Sequence, residues 1–182
     1  KAKANNVGVE FLLSPHYFPG TKNYQDRLKI AGVEYDTEDR ESSEGVFLSY
    51  NVANENAKRV IADYIKALFD WFEKNNMTSA INSIILSNEP IFRTTWYSDY
   101  YTPLFREFLK EKYGTVEAMK SELGSKYSSF DSISMPDYNT ASENKTGLDY
   151  DWVEFNDKVF VSWHEFIAQE VKKYTDKPVS VK

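Results

Sequence analysis

The stretch INSIILSNEP, residues 81–90, decides the fold of this 182-residue chain. Its middle, residues 84–86 (IIL), is an apolar run with β-branched side chains, which is typical of a strand covered on both faces. Pro90 has no backbone N–H to donate to a neighbouring strand, so the strand ends there. The sequence therefore predicts that Glu89 lies at the C-terminal end of a parallel strand, where α/β folds carry their reactive side chains.

Strands and helices alternate on either side of this stretch. Residues 7–14 (VGVEFLLS) alternate in polarity like a strand, and residues 178–182 (PVSVK) begin another. Residues 54–75 and 151–174 repeat apolar side chains every three or four positions, which predicts two long helices. Because strands that alternate with helices form parallel sheets, the predicted fold class is α/β with three parallel strands and crossover helices.

Capping residues indicate where the other helices begin and end. Thr102 is predicted to cap a helix that has Pro103 at its first position and Gly114 at its end. The helix over residues 151–174 is predicted to be capped by Asp149 or Asp151. Residues 21–50 are polar, and we expect an excursion there with a short helix over residues 24–30.

The composition excludes several classes of function. The net charge is −6, from 22 basic and 28 acidic residues, which argues against binding nucleic acid or an anionic membrane. The chain has no cysteine. The acidic cluster within residues 34–44 is most simply a solvated loop, and a calcium site is the alternative, although the spacing does not match an EF-hand. The two histidines of the chain are far apart, so we predict no metal and no cofactor. No apolar run approaches membrane-spanning length.

Several segments are similar to one family of enzymes. Residues 88–90 (NEP) at a strand end resemble the Asn-Glu-Pro signature of clan A glycoside hydrolases. Residues 105–119 are similar to the segment after the acid/base in family forty-two β-galactosidases, and residues 127–133 and 148–155 continue the match. Residues 13–19 are similar to the loop after the third barrel strand of related enzymes. The resemblance implies a (β/α)8 TIM barrel, of which this chain supplies the third to fifth strands.

The same resemblance implies roles for the residues at the strand end. Glu89 would be the general acid/base, and Asn88 would bind the 2-hydroxyl of the sugar. The alternative for Glu89 is a solvated loop acid, against which the buried strand and the downstream match both argue. In the family the nucleophile is a Glu on the seventh strand, which this chain does not include.

Aromatic and basic side chains near the strand ends are further candidates for substrate binding. His16 either holds its proline-rich loop in place or lines the sugar site. Tyr17, Trp96 and Tyr97 either face the sugar or pack in the core, and the sequence leaves both alternatives open. His164 lies on a helix far in sequence from any strand end, so we predict a structural role for it.

The chain is expected to be part of a larger enzyme. Three parallel strands make an incomplete sheet, and a full (β/α)8 barrel takes about 250 residues. We therefore predict that residues 1–182 form a single partial TIM-barrel glycosidase domain, completed by the remainder of the barrel on the same or another chain. Because a retaining enzyme needs two carboxyl groups about 5–5.5 Å apart, the 182-residue chain alone is predicted to be inactive.

Three hypotheses for function follow. The first is a retaining glycoside hydrolase that cleaves a β-galactoside or a related oligo- or polysaccharide. The second is a non-catalytic carbohydrate-binding or assembly piece of a barrel protein. The third is a small independent α/β domain in which the Asn-Glu-Pro sequence is coincidental. Under the first two, Asn88 and Glu89 should lie at the end of the central of three parallel strands. The sequence is compatible with the bacterial cytoplasm and with export.

Overall fold

The computed structural model describes residues 2–15, 41–42, 45–46, 52–88, 101–124, 126–135 and 146–182. Strands and helices alternate along most of these ranges. The strands are β1 (Val9–Leu12), β2 (Glu41–Ser42), β3 (Gly45–Val46), β4 (Ile81–Ile85) and β5 (Val179–Ser180), and the helices are α1 (Glu55–Lys74), α2 (Tyr101–Tyr113), α3 (Val116–Leu123) and α4 (Gly147–Lys172). Among the described residues, no helix is both long enough and apolar enough to span a membrane.

The central sheet has three parallel strands in the order β1-β4-β5. Phe11 of β1 lies beside Ile84 of β4, which in turn lies beside Val179 of β5. This arrangement confirms the predicted α/β class and places the strand of the opening stretch at the centre. Ile84 and Leu86 are buried as predicted, at 0% and 3% exposed, whereas Ile85 on the opposite face is only partly buried.

The outer strands are shorter than predicted. β1 covers Val9–Leu12 rather than residues 7–14, and β5 covers Val179–Ser180 rather than residues 178–182. Val7 is 54% exposed, and Ser14 has a φ of 40°, which is incompatible with extended backbone. Backbone hydrogen bonds nevertheless continue beyond these bounds, since the Leu13 N–H donates to the Ile85 carbonyl at 2.9 Å.

A second, two-stranded sheet forms where the sequence predicted only a polar excursion. Strands β2 and β3 pair antiparallel, with Glu41 opposite Val46 and Ser42 opposite Gly45. The short helix predicted over residues 24–30 lies outside the described residues.

Helix α1 confirms the helix predicted over residues 54–75. Asn54 caps it, because its Oδ1 accepts hydrogen bonds from the backbone N–H groups of Asn56 (2.9 Å) and Ala57 (3.1 Å). One face of the helix is buried, through Ala57, Ile61, Ile65, Phe69 and Phe72. The ring of Phe72 meets Phe11 of β1 edge-on at 5.0 Å between centroids, so α1 covers one face of the sheet.

The start of helix α2 corrects one prediction. The helix begins at Tyr101, so Thr102 lies inside the first turn rather than at the cap. Pro103 is the third residue, where a missing N–H is tolerated because the first turn has no intrahelical acceptor. The predicted end is confirmed, since the helix stops at Tyr113 and Gly114 has a φ of +71°.

Helix α4 begins earlier and ends earlier than predicted, at Gly147 and Lys172. Neither Asp149 nor Asp151 is its cap. The Asp149 carboxylate lies within the first turn and accepts the Thr146 backbone N–H (2.6 Å) and hydroxyl (2.7 Å). The apolar repeat that predicted this helix starts at Trp152, whereas the helix already includes the buried Leu148, so the sequence placed the start too late.

The chain divides into two compact units. The first comprises Lys1–Phe92 and Val161–Lys182, and so contains the three-stranded sheet, α1 and the last part of α4. The second comprises Arg93–Phe160, with α2, α3 and the first part of α4. Its core is aromatic: Phe105 meets Trp152 edge-on at 4.8 Å between ring centroids.

Candidate active site

Backbone hydrogen bonds continue past the C-terminal ends of the three strands. The Ser14 N–H donates to the Leu86 carbonyl (3.1 Å), and the Leu86 N–H donates to the Ser180 carbonyl (2.7 Å). The Lys182 N–H donates to the Ser87 carbonyl (2.9 Å). The residues that follow the central strand are therefore held on both sides by residues of the neighbouring chain segments.

Asn88 lies at this end of the sheet, as predicted. It is half-buried, and its backbone N–H donates to the Ser14 hydroxyl oxygen at 3.2 Å. Ser14 can place its side chain there because it has left the extended conformation, with a φ of 40°. The sequence reasoning did not identify Ser14, although the residue precedes a proline and ends an apolar run.

Ser87 and His164 form a buried pair directly before Asn88. The Ser87 hydroxyl lies 2.7 Å from His164 Nε2, and the two residues are 0% and 7% exposed. Helix α4 brings His164 to the strand end, although the two residues are 77 positions apart in sequence. The signal for this contact was available: His164 lies in the apolar stripe of the helix, and a buried histidine needs a hydrogen-bonding partner.

The other predicted site residues lie outside the described part of the chain. They are Glu89, His16, Tyr17, Trp96 and Tyr97. The structure therefore places Asn88 and its surroundings and does not bear on the positions of those five side chains. Among the residues that it describes, no group of His, Cys, Asp or Glu side chains could hold a metal ion.

The second face of the sheet carries polar and exposed side chains. Successive residues of a strand point to opposite faces, so Leu12 faces away from the side on which Phe11 meets α1. Leu12 is 45% exposed. Glu10 lies on the same face of β1, and its carboxylate accepts a hydrogen bond from the Ser83 hydroxyl at 3.2 Å. This face is open within the described ranges, and it adjoins the strand end that carries Asn88.

A separate ionic cluster lies in the second unit. The Asp151 carboxylate accepts hydrogen bonds from Lys112 Nζ (2.7 Å) and from the Tyr113 hydroxyl (2.7 Å). Hydrogen bonds to Asp151 and Glu154 raise the pKa of Lys112, and burial followed by the Asp151 hydrogen bond raises the pKa of Tyr113 to about 12. The bond to Lys112 lowers the pKa of Glu154. Because these groups satisfy one another, the cluster joins α2 to α4 rather than presenting a reactive side chain.

Three solved structures that share this fold are two β-galactosidases and an exo-carrageenase. A β-galactosidase from Marinomonas ef1 matches with a TM-score of 0.73 and 20% identity, over 97% of this chain and 27% of that one. A cold-adapted β-galactosidase from Rahnella sp. R3 matches with a TM-score of 0.74 and 17% identity, over 97% of this chain and 26% of that one. An exo-carrageenase of glycoside hydrolase family 42 from Bacteroides ovatus matches with a TM-score of 0.67 and 19% identity, over 97% of this chain and 24% of that one.

These matches confirm that the three strands and their helices are part of a TIM barrel, and that the chain spans about a quarter of each of those proteins. No curated protein matches the chain. The family model described as β-galactosidase, glycoside hydrolase family 42, matches residues 29–182. That match covers most of the chain and both units, which confirms the resemblance inferred from the sequence. The chain therefore belongs to glycoside hydrolase family 42.

Proposed function

We propose that this chain is the part of a retaining glycoside hydrolase that carries the general acid/base, Glu89. The substrate would be a β-galactoside or a related oligo- or polysaccharide. The observation that supports the proposal is the position of Asn88 at the end of the central parallel strand, with Glu89 as the next residue in a family-42 sequence. The C-terminal ends of the strands carry the catalytic groups in TIM-barrel enzymes.

In this mechanism Glu89 acts twice. It first donates a proton to the departing glycosidic oxygen while the nucleophile attacks the anomeric carbon, and it then removes a proton from the water that releases the sugar. Such an acid must be protonated near neutral pH, which burial or a neighbouring negative charge achieves. The nucleophile would belong to the part of the barrel that this sequence does not include.

Asn88 would bind the sugar 2-hydroxyl through its side-chain amide. A hydrogen bond to that hydroxyl strengthens as positive charge develops at the anomeric carbon, so it favours the transition state over the bound substrate. His16 and Tyr17 on one strand-end segment, with Trp96 and Tyr97 after the central strand, would complete the sugar-binding surface.

We further propose that residues 1–182 form one partial barrel domain that needs the rest of the barrel to act. The chain spans 27% of the Marinomonas enzyme, and the sheet face that carries Leu12 is open within the described ranges. In a closed barrel that face is the packed interior. The isolated chain would then hydrolyse no aryl glycoside, because it holds only one of the two carboxyl groups that the reaction requires.

The test is the variant Glu89→Ala in the full-length protein that contains this sequence. Turnover of para-nitrophenyl β-galactoside should fall by about 10²–10⁴-fold, the usual contribution of a general acid/base. Azide should restore turnover of an activated aryl galactoside and yield the β-galactosyl azide, since azide needs no general base. The exposed Glu73→Ala on α1 is the control. Unchanged turnover in Glu89→Ala would support the alternative, a non-catalytic carbohydrate-binding piece.

A further inference from the structure

We propose that Ser87 and His164 are positioning residues for Asn88: their buried hydrogen bond fixes the strand end on helix α4 and so sets where the Asn88 amide meets the substrate. This inference rests on the proposed function, in which Asn88 binds the sugar 2-hydroxyl. Neither residue is proposed to touch the substrate.

The first observation is that the strand end is anchored by three separate contacts. Ser14 holds the Asn88 N–H at 3.2 Å, and the Lys182 N–H holds the Ser87 carbonyl at 2.9 Å. The third contact is the Ser87 hydroxyl on His164 Nε2 at 2.7 Å, which alone among the three joins two buried side chains. The first two link neighbouring chain segments of the sheet, whereas the third links the sheet to the helix layer.

The second observation is the cost of breaking this pair. In Ser87→Ala the group that loses this hydrogen bond is His164 Nε2, and because His164 is only 7% exposed, solvent replaces the serine hydroxyl poorly. A buried polar group that loses its partner cannot recover a hydrogen bond without moving. Removing the Ser87 hydroxyl should therefore shift the strand end or the helix, and the residue that follows Ser87 in the chain is Asn88.

A small shift of that residue has a large effect on turnover. Displacing a substrate-positioning group by about 1 Å can reduce the rate by about 10²-fold. Because the Asn88 contact strengthens in the transition state, the loss should appear in kcat more than in KM.

The experiment compares two substrates in the full-length protein: para-nitrophenyl β-galactoside and its 2-deoxy counterpart. We expect Ser87→Ala to reduce kcat for the first by at least about tenfold. The same variant should leave kcat for the 2-deoxy substrate within about twofold of the wild type, because that substrate has no 2-hydroxyl for Asn88 to bind. Asn88→Ala should show the same selectivity.

Two further variants separate positioning from folding. His164→Gln places an amide near the position of Nε2 and should retain most of the activity, which gives a folded variant even if Ser87→Ala folds poorly. Asn54→Ala removes the cap of α1, elsewhere in the same unit, and should lower Tm without changing the ratio of the two kcat values.

The outcomes are distinguishable. If Ser87→Ala reduces kcat equally for both substrates, or for neither, while Asn88→Ala is selective for the 2-hydroxyl, the positioning role is wrong and the proposed function stands. If Asn88→Ala is itself not selective, or if Glu89→Ala leaves turnover unchanged, the proposed function fails and this inference fails with it.

Discussion

The carboxylate of Asp151 on helix α4 lies 2.7 Å from Lys112 Nζ on helix α2 and is only 4% exposed. Tyr113, the next residue of α2, donates its hydroxyl to the other carboxylate oxygen. Two side chains of one helix thus converge on one buried acid of another. We therefore expect the loss of Asp151 to destabilise the second unit more than the loss of Lys112.

Replacing that acid should destabilise the protein. Asp151→Ala leaves the Tyr113 hydroxyl and the Lys112 ammonium without their shared acceptor. Removing one member of a buried pair costs about 3–5 kcal/mol, but Lys112 keeps Glu154 and is partly exposed, so we expect about 2–3 kcal/mol. Urea unfolding monitored by tryptophan fluorescence measures the change. The matched control is Glu154→Gln, whose carboxylate is largely solvated and whose loss should cost at most about 1 kcal/mol.

Alkaline pH should destabilise the same region. The pKa of Tyr113 is about 12 in the folded protein and 10 when unperturbed, so the unfolded chain loses this proton first as the pH rises. Stability is therefore present below pH 10 and declines between pH 10 and pH 12. Unfolding free energies at pH 9 and pH 11 should differ less in Tyr113→Phe than in the wild type. Equal slopes in both proteins would show that Tyr113 does not titrate as described.

The two faces of the sheet should respond differently to truncation. Ile84→Ala removes a fully buried side chain from β4 and should cost about 2–5 kcal/mol. Leu12→Ala acts on a side chain that is 45% exposed and should cost under about 1 kcal/mol in the chain of residues 1–182.

The same Leu12→Ala substitution tests the proposed barrel in the full-length protein. If the remaining strands close around this face, Leu12 becomes buried and its truncation should cost about 2 kcal/mol or more. The measurement is thermal unfolding of both lengths of protein. A cost equally small in the full-length protein would place Leu12 at its surface and contradict the closed barrel.

Replacement of Asn88 should affect turnover more than substrate affinity. In the full-length enzyme we expect Asn88→Ala to lower kcat for an aryl β-galactoside by about 10²-fold with a smaller change in KM, because the lost contact is strongest in the transition state. Steady-state kinetics measure both constants. A rise in KM at constant kcat would mean that Asn88 binds substrate and transition state equally.

The sequence predicted the features that depend on local pattern. The buried run in residues 84–86 gave the central strand, the spacing in residues 54–75 gave α1, and Gly114 gave the end of α2. Helix starts were less predictable, because Thr102 and Asp151 are residue types that favour caps. In the structure Thr102 lies within the first turn of α2, and Asp151 is held by its ion pair with Lys112.

The sequence predicted where Asn88 lies relative to its own strand, but not which distant residues contact the strand end. Asn88 could be placed at a strand end because a proline follows shortly after a buried strand. The contacts that hold it come from Ser14 and, through Ser87, from His164, which are 74 and 77 residues from their partners. A hydrogen bond between distant residues leaves no periodic trace in the sequence, so the apolar stripe of the helix indicated that His164 needs a buried partner but not that the partner is Ser87.

The strand order β1-β4-β5 also has a consequence for the protein in solution. Within the described part of the chain, each outer strand pairs on one side only, so its other side presents backbone N–H and C=O groups to any strand that approaches. In a closed barrel the adjoining strands occupy those groups. Prepared by itself, the chain would offer them to its own copies. Aggregation of the isolated chain and its pairing with the rest of a barrel would then have the same origin, the two sheet edges that are unpaired among the described residues.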